Sequence, residues 1–328
     1  MMGPMAESKS LSRRGPAAFL AVCLMVLLLG GCSSIPGTGS AWELGKAELL
    51  EWKVDEVGFD QNSELEASGL AFIGDVLLVA SEKYGSLVVV EPNADLRARV
   101  IRIDVPRYSE LEGVAVADDF IYLCDEAHAA VYRVDLDRAA PLEEMAPNTL
   151  LEASPLELEG IDVIGAKIGF EGIEVSLDRE HVYLVLERSL IAEDVCVSPI
   201  YTLRIEDDRL VRDDDPLEID LEDCNWRLTD LAWHEGRLLA LKTRFPGERY
   251  HLIEIDLEQG LSRLLLDMTV PMVHLGTLGW DNNIEGMAIA EDGSLWLVSD
   301  NSVSTVIDDP VPPAASKRTI LMRIPARD

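Results

Sequence analysis

The sequence predicts an all-β, β-propeller fold on three observations. A short motif returns at long intervals, a strand-turn-strand pattern follows each return, and helical periodicity is nearly absent. The motif is clearest as Asn282-Asn283-Ile284-Glu285-Gly286-Met287-Ala288-Ile289. Ala67-Ser68-Gly69-Leu70-Ala71, Leu111-Glu112-Gly113-Val114-Ala115, Phe170-Glu171-Gly172-Ile173-Glu174 and Leu228-Thr229-Asp230-Leu231-Ala232 echo it. The equivalent residues Ser68, Glu112, Glu171, Thr229 and Glu285 are spaced by 44, 59, 58 and 56 positions. Units of that size each bury an apolar face against the next.

Every echo opens a first strand. A polar turn follows it: Gly74-Asp75, Asp118-Asp119, Asp178-Arg179-Glu180, Glu235-Gly236 or Glu291-Asp292-Gly293. Acidic and Gly residues between apolar runs mark hairpins, because Gly adopts positive φ without a Cβ penalty. Second runs extend from Val76 to Ala80, Phe120 to Cys124, His181 to Leu186, Arg237 to Leu241 and Ser294 to Val298. Third runs read from Ser86 to Val90, Ala130 to Val134, Ile200 to Ile205 and Tyr250 to Ile255. Fourth runs are legible from Arg99 to Val105 and from Ser262 to Asp267.

Four antiparallel strands make one propeller blade. The last repeat stops at the run Thr319 to Ile324, so Glu48 to Val54 is expected to add its fourth strand and close the ring. Five blades are expected. Six are the alternative, since the connections Arg138 to Gly169 and Asp207 to Arg227 have room for irregular strands.

The N-terminal region predicts export. Lys9, Arg13 and Arg14 precede an apolar stretch from Ala17 to Leu29, and Leu29-Gly30-Gly31-Cys32 follows. This is the pattern of a bacterial lipoprotein signal: residues 1–31 are removed, and Cys32 is lipidated and heads the mature chain. Residues 32–44 then form a tether, and residues 45–328 one propeller domain. The expected location is the cell envelope, on the outer membrane facing the periplasm in a Gram-negative host. Contact with the membrane runs through the lipid alone.

The chain carries 28 Lys and Arg against 60 Asp and Glu, a formal charge of −32. Such a surface repels nucleic acid and anionic lipid, which excludes them as direct partners, and it draws divalent cations. Cys124, Cys196 and Cys224 remain in the exported part without zinc-ligand spacing. Cys196 and Cys224 lie in connections expected on one face of the ring, so a bridge between them is predicted. Cys124 is expected to be a buried thiol.

In a propeller, the start of each first strand and the end of each second strand share one face of the ring. The starts hold Ser68, Glu112, Glu171, Thr229 and Glu285, and the ends hold Glu82, Glu126, Glu187, Thr243 and Asp300. Carboxylates gathered at one channel mouth need a cation, protons or strong solvation. An all-oxygen set of this kind suits calcium, which accepts irregular cages. Glu112, Glu171, Glu285, Glu126, Glu187 and Asp300 are the candidate metal ligands. For each Glu, hydrogen bonds to backbone N–H groups of the neighbouring blade are the structural alternative. Lys83, Arg188, Lys242 and Arg244 sit beside these positions, and His128 and His274 fall in connections on the same face. Glu159-Gly160-Ile161 imitates the motif too close to Glu171 for a blade of its own and reads as loop.

Asn283-Ile284-Glu285-Gly286-Met287 with Leu297-Val298-Ser299-Asp300-Asn301 resembles the closing motif of the phytase-like propeller family, also called esterase-like activity of phytase. Phe170-Glu171-Gly172-Ile173, Val185-Leu186-Glu187-Arg188 and Ser68-Gly69-Leu70-Ala71 look like its other repeats. The resemblance runs from about residue 60 to residue 326. It implies an exported β-propeller with calcium-linked ester or phosphoester hydrolysis. Lys242-Thr243-Arg244-Phe245 and Asn301-Ser302-Val303 depart from the family pattern. The Glu-Gly openings are also shared by the SdiA-regulated propellers.

Three functions follow as expectations. One is a metal-dependent hydrolase acting on a small anionic or ester substrate, with Glu171, Arg188, Arg244, Glu285 and Asp300 as candidate catalytic residues. Another is a calcium-stabilised binding propeller without catalysis. The third is a structural module of an envelope assembly.

Overall fold

The structure is a computed structural model. It describes residues 41–50, 53–54, 65–83, 85–92, 96–136, 141–161, 169–192, 195–244, 248–278, 283–300 and 319–327. The signal at residues 1–31, Cys32, most of the tether, Phe245, Asn282 and Asn301-Ser302-Val303 lie outside the described residues.

The fold is a β-propeller. The first blade comprises Ala67–Ile73, Val76–Ser81, Ser86–Glu91 and Arg97–Asp104, each strand antiparallel to the one before. Leu111–Ala117, Phe120–Asp125, Ala130–Asp135 and Leu150–Glu159 form the second. The third runs Phe170–Val175, His181–Leu186 and Val195–Glu206, with Arg209–Arg212 and Leu217–Asp220 both pairing to the long third strand. Trp226–His234, Arg237–Arg244, Arg249–Asp256 and Leu261–Asp267 make the fourth. Asn283–Ile289, Leu295–Asp300 and Leu321–Ile324 make the last, and Glu48–Leu50 pairs antiparallel with Leu321–Ile324 as its outer strand. Among the described residues the five innermost strands pack in cyclic order, the last against the first.

Neighbouring blades bury apolar side chains between them, and this explains the unbroken apolar runs. Leu78, Ile101, Leu111 and Ile121 join the first two blades. Ala115, Tyr122, Ile173 and Leu184 join the next pair. Val185, Ile200, Leu228 and Leu238 follow, then Leu239, Leu241, Ile284 and Leu297. Leu70, Leu77, Ala288 and Trp296 close the circle. A blade in the ring has a neighbour on each side, so its strands need apolar residues on both faces.

The long connections do contain strands. Leu150–Glu159 supplies the outer edge of the second blade and also pairs in parallel with Arg102–Asp104 and with Arg209–Val211. Glu159 therefore ends a strand rather than lying in a loop. A helix, Thr269–Thr277, fills the connection between the fourth and last blades and buries Pro271, Met272 and Leu275. The packed fold also begins earlier than residue 45. Trp42 is 1% exposed and donates Nε1–H to the Gly293 carbonyl at 3.0 Å. Its backbone bridges to Ala326, so the propeller reaches back through residues first assigned to the tether.

Candidate functional site

Each innermost strand carries a register shift at the motif. Pairing passes from Leu111 to Gly113, from Phe170 to Gly172, from Leu228 to Asp230 and from Ile284 to Gly286, leaving Glu112, Glu171, Thr229 and Glu285 unpaired. The same irregularity falls between Ala67 and Leu70, around Ser68. A bulge re-aims the side chain of its extra residue. Here it delivers that residue to the channel mouth.

The Gly after the bulge is required by crowding at the axis. A Cβ on Gly286 would stand 1.8 Å from the Ser68 carbonyl oxygen, and one on Gly69 would stand 2.7 Å from the Glu112 carbonyl oxygen. The fourth blade has Asp230 at this position. Its buried carboxylate accepts backbone N–H groups from Met287 at 2.8 Å, Leu231 at 2.8 Å and Leu70 at 3.3 Å. Asp230 thus ties the fourth blade to the first and last across the axis. Burial raises its pKa against the opposing pull of those donors.

The mouth gathers Glu82, Glu112, Glu126, Glu171, Glu187, Glu285 and Asp300. Among the described residues, Glu82, Glu285 and Asp300 each offer an oxygen within 4.8 Å of the others. Burial, then Glu285 and Asp300, raise Glu82 well above the ordinary carboxylate range. Burial, then Glu82, Glu171 and Glu285, do the same to Glu112, against a hydrogen bond from Ser68 Oγ at 2.7 Å. Glu171 is raised by burial, partly offset by Arg227. Glu285 is pushed up to about 7 by burial despite Arg227 beside it. Glu126 is also raised by burial, then by Glu110 and Glu187.

The central cation is Arg227, two residues before Thr229. It pairs with Glu285, lies 3.6 Å from Glu187 Oε1 and donates to Asn283 Oδ1 at 3.3 Å and Thr243 Oγ1 at 3.4 Å. Burial would lower its pKa, and the carboxylates of Glu285, Glu171, Glu187 and Glu112 outweigh that and raise it. The two candidate arginines are engaged by other protein groups, and Arg188 Nη2 also lies 3.8 Å from Glu187 Oε1 at the mouth. Arg188 Nη1 donates to the Cys224 carbonyl at 2.7 Å, and Arg244 holds Asp223 at 3.1 Å. Lys242 is buried over the Trp226 ring and bonds Glu222 at 2.6 Å, while Lys83 pairs with Glu66. His128 Nδ1 meets Asp125 Oδ2 at 2.9 Å, and His274 lies exposed on the helix.

Arg227 was recoverable from the sequence. The fourth repeat has Thr229 and Thr243 where its neighbours have acids, and the same repeat supplies Arg227 to the mouth. Thr229 Oγ1 is itself buried with no hydrogen-bond partner among the described residues, at 1% residue exposure. Cys196 and Cys224 are bonded with Cα atoms 5.1 Å apart, and Cys124 is a buried free thiol.

No curated protein sequence matches the chain significantly. Among solved structures, similarity extends to a GH43 glycoside hydrolase at 12% identity, 81% of this chain, 51% of that chain and a TM-score of 0.50. Myxococcus xanthus glutaminyl cyclase matches at 11% identity over 81% of this chain and 93% of its own, with a TM-score of 0.47. Kuenenia stuttgartiensis hydrazine synthase matches at 14% identity over 74% of this chain, which spans only 60% of that longer chain, with a TM-score of 0.40. Likeness at these identities concerns the fold alone. The bulged Glu-Gly repeats and their acidic mouth lie within residues 60–302, which match the family described as esterase-like activity of phytase, and the chain belongs to this phytase-like family.

Proposed function

We propose that this is an exported, lipid-anchored phytase-like propeller that holds calcium at its channel mouth and hydrolyses a phosphoester or ester there. The convergence of Glu82, Glu285 and Asp300 within 4.8 Å carries the reading. Carboxylates so close require protons or a cation. The donor set fits a hard ion: every atom is oxygen, and Thr229 Oγ1, without a partner among the described residues, adds an acceptor at the motif position. Bound there, calcium would neutralise the carboxylates and polarise an ester or phosphoryl oxygen. Burial holds Glu112 and Glu171, in the same mouth, above the ordinary carboxylate range, which would suit them to donate a proton. Arg227 contributes a fixed positive charge that helps offset an incoming anion. The Cys196–Cys224 bridge suits the oxidising compartment that a lipoprotein at the envelope would occupy.

A calcium-stabilised binding propeller without catalysis is the second reading. It is favoured by the engagement of Arg188 with the Cys224 carbonyl and of Arg244 with Asp223, which occupies both guanidinium groups with protein partners. Metal analysis of the purified protein, followed by an ester and phosphoester panel with and without chelator, separates the two. Hydrolysis lost on chelation and in the Glu82→Gln, Asp300→Asn double variant supports the first. Calcium binding with no turnover of any substrate supports the second. A protein that binds no calcium overturns both.

A further inference from the structure

The channel has a second end, and its chemistry differs from the mouth. Residues from all five innermost strands line a cavity of about 300 Å³ there, with Phe72, Val116, Trp233 and Ile289 among its walls. Glu174 is the carboxyl group lining it away from the rim. Its Oε1 accepts the Val175 N–H at 2.8 Å, and the nearby Trp233 backbone N–H also favours its charged form. Both aromatic walls are fixed. Trp233 donates Nε1–H to the Val175 carbonyl at 2.8 Å and meets the Tyr183 ring edge-on at 5.8 Å. Phe72 stands edge-on to Trp296 at 5.8 Å. At the rim, Arg179 pairs with Asp118, so that cation is already matched. Asp230, further along the channel, is committed to its three backbone donors.

We infer that this far-end cavity is a binding site for a small organic cation, an ammonium group on an apolar body. An ammonium would donate to Glu174, the aromatic walls would favour its charge, and Val116 and Ile289 among the lining would contact the body. The protein's charge of −32 concentrates such cations near the channel. The site is distinct from the mouth and independent of any hydrolysis there. Burial pushes Glu174 up to about 8, so an ammonium that binds near neutral pH displaces a proton from it.

The test is calorimetric titration of the purified full chain with 2-phenylethylammonium, with calcium chloride present to mask cation attraction to the mouth. Neutral 2-phenylethanol is the control. One-to-one binding of the amine is expected, roughly tenfold or more tighter than the alcohol, with proton release in buffers of different ionisation enthalpy. Glu174→Gln should weaken the amine roughly tenfold or more. Should that variant fold poorly, the native protein still decides: amine affinity should rise roughly tenfold or more between about pH 6 and pH 8. Equal binding of amine and alcohol, an unweakened Glu174→Gln variant, a flat pH profile or no saturable heat overturns the site.

Discussion

The fourth and last blades place the same bulge at the same point of the ring and use it in opposite ways. In the last blade, Ile284-Glu285-Gly286 sends a carboxylate to the mouth and leaves the axis to a glycine. In the fourth, Leu228-Thr229-Asp230 sends a hydroxyl to the mouth and a carboxylate to the axis, where three backbone N–H groups hold it. Arg227 then enters the mouth from the fourth blade and pairs with Glu285 of the last. The last repeat thus supplies acids to the mouth, and its neighbour supplies the strut and a counter-charge. Repetition fixes where a side chain emerges, and its chemistry can change from blade to blade without disturbing the ring.

Asp230→Ala should break this division most severely. It strands the Leu70 and Met287 N–H groups, at about 1–3 kcal/mol for each buried unpaired donor. Urea unfolding should report a loss of roughly 4 kcal/mol. A loss under roughly 1 kcal/mol would mean that Asp230 is no strut. Gly286→Ala should follow at about 3 kcal/mol, because its Cβ meets a backbone oxygen and no flexible side chain can yield.

Arg227→Met sharpens the electrostatic side of the comparison. The variant leaves Glu285 and Glu187 without their cation, which should destabilise by about 2 kcal/mol at pH 8. At pH 5 Glu285, with its pKa raised to about 7, can protonate, and the loss should shrink below about 1 kcal/mol. Equal losses at both values would reduce Arg227 to a packing residue.

The smallest expected effect is the pH response of the native protein. Glu82, Glu112, Glu171 and Glu285 all have raised folded-state pKa values. A raised value contributes stability that is full below the unfolded pKa and is lost as pH rises through the folded one. For Glu285 that window opens near 4.5 and closes at about 7, and for Glu174 at about 8. With chelator present, the Tm should therefore fall between about pH 5 and pH 8 by several degrees. If the mouth holds calcium as proposed, calcium should restore most of the loss at pH 8, because a ligand that binds only the native state stabilises it. A Tm that stays flat in chelator would mean that the mouth acids relax into water on ionisation.

The repeated motif, the apolar runs and the acidic turns already specified a propeller with carboxylates at one mouth. All three are local and periodic, and a strand or turn leaves its mark within a few residues. The outer strand at Leu150–Glu159 was harder to see, because it mixes exposed and buried positions and takes its partners from three blades. Arg227 and Asp230 could be read as departures from the repeat, but their roles could not. Whether a guanidinium reaches Glu285, or a carboxylate finds the N–H groups of Leu70 and Met287, depends on how closely five strands converge on an axis. Those partners lie 58, 160 and 57 positions away in the chain. Residue type and spacing determine which face a side chain leaves from. Only ring closure decides which charges meet there, because burial and pairing arise between blades rather than within one.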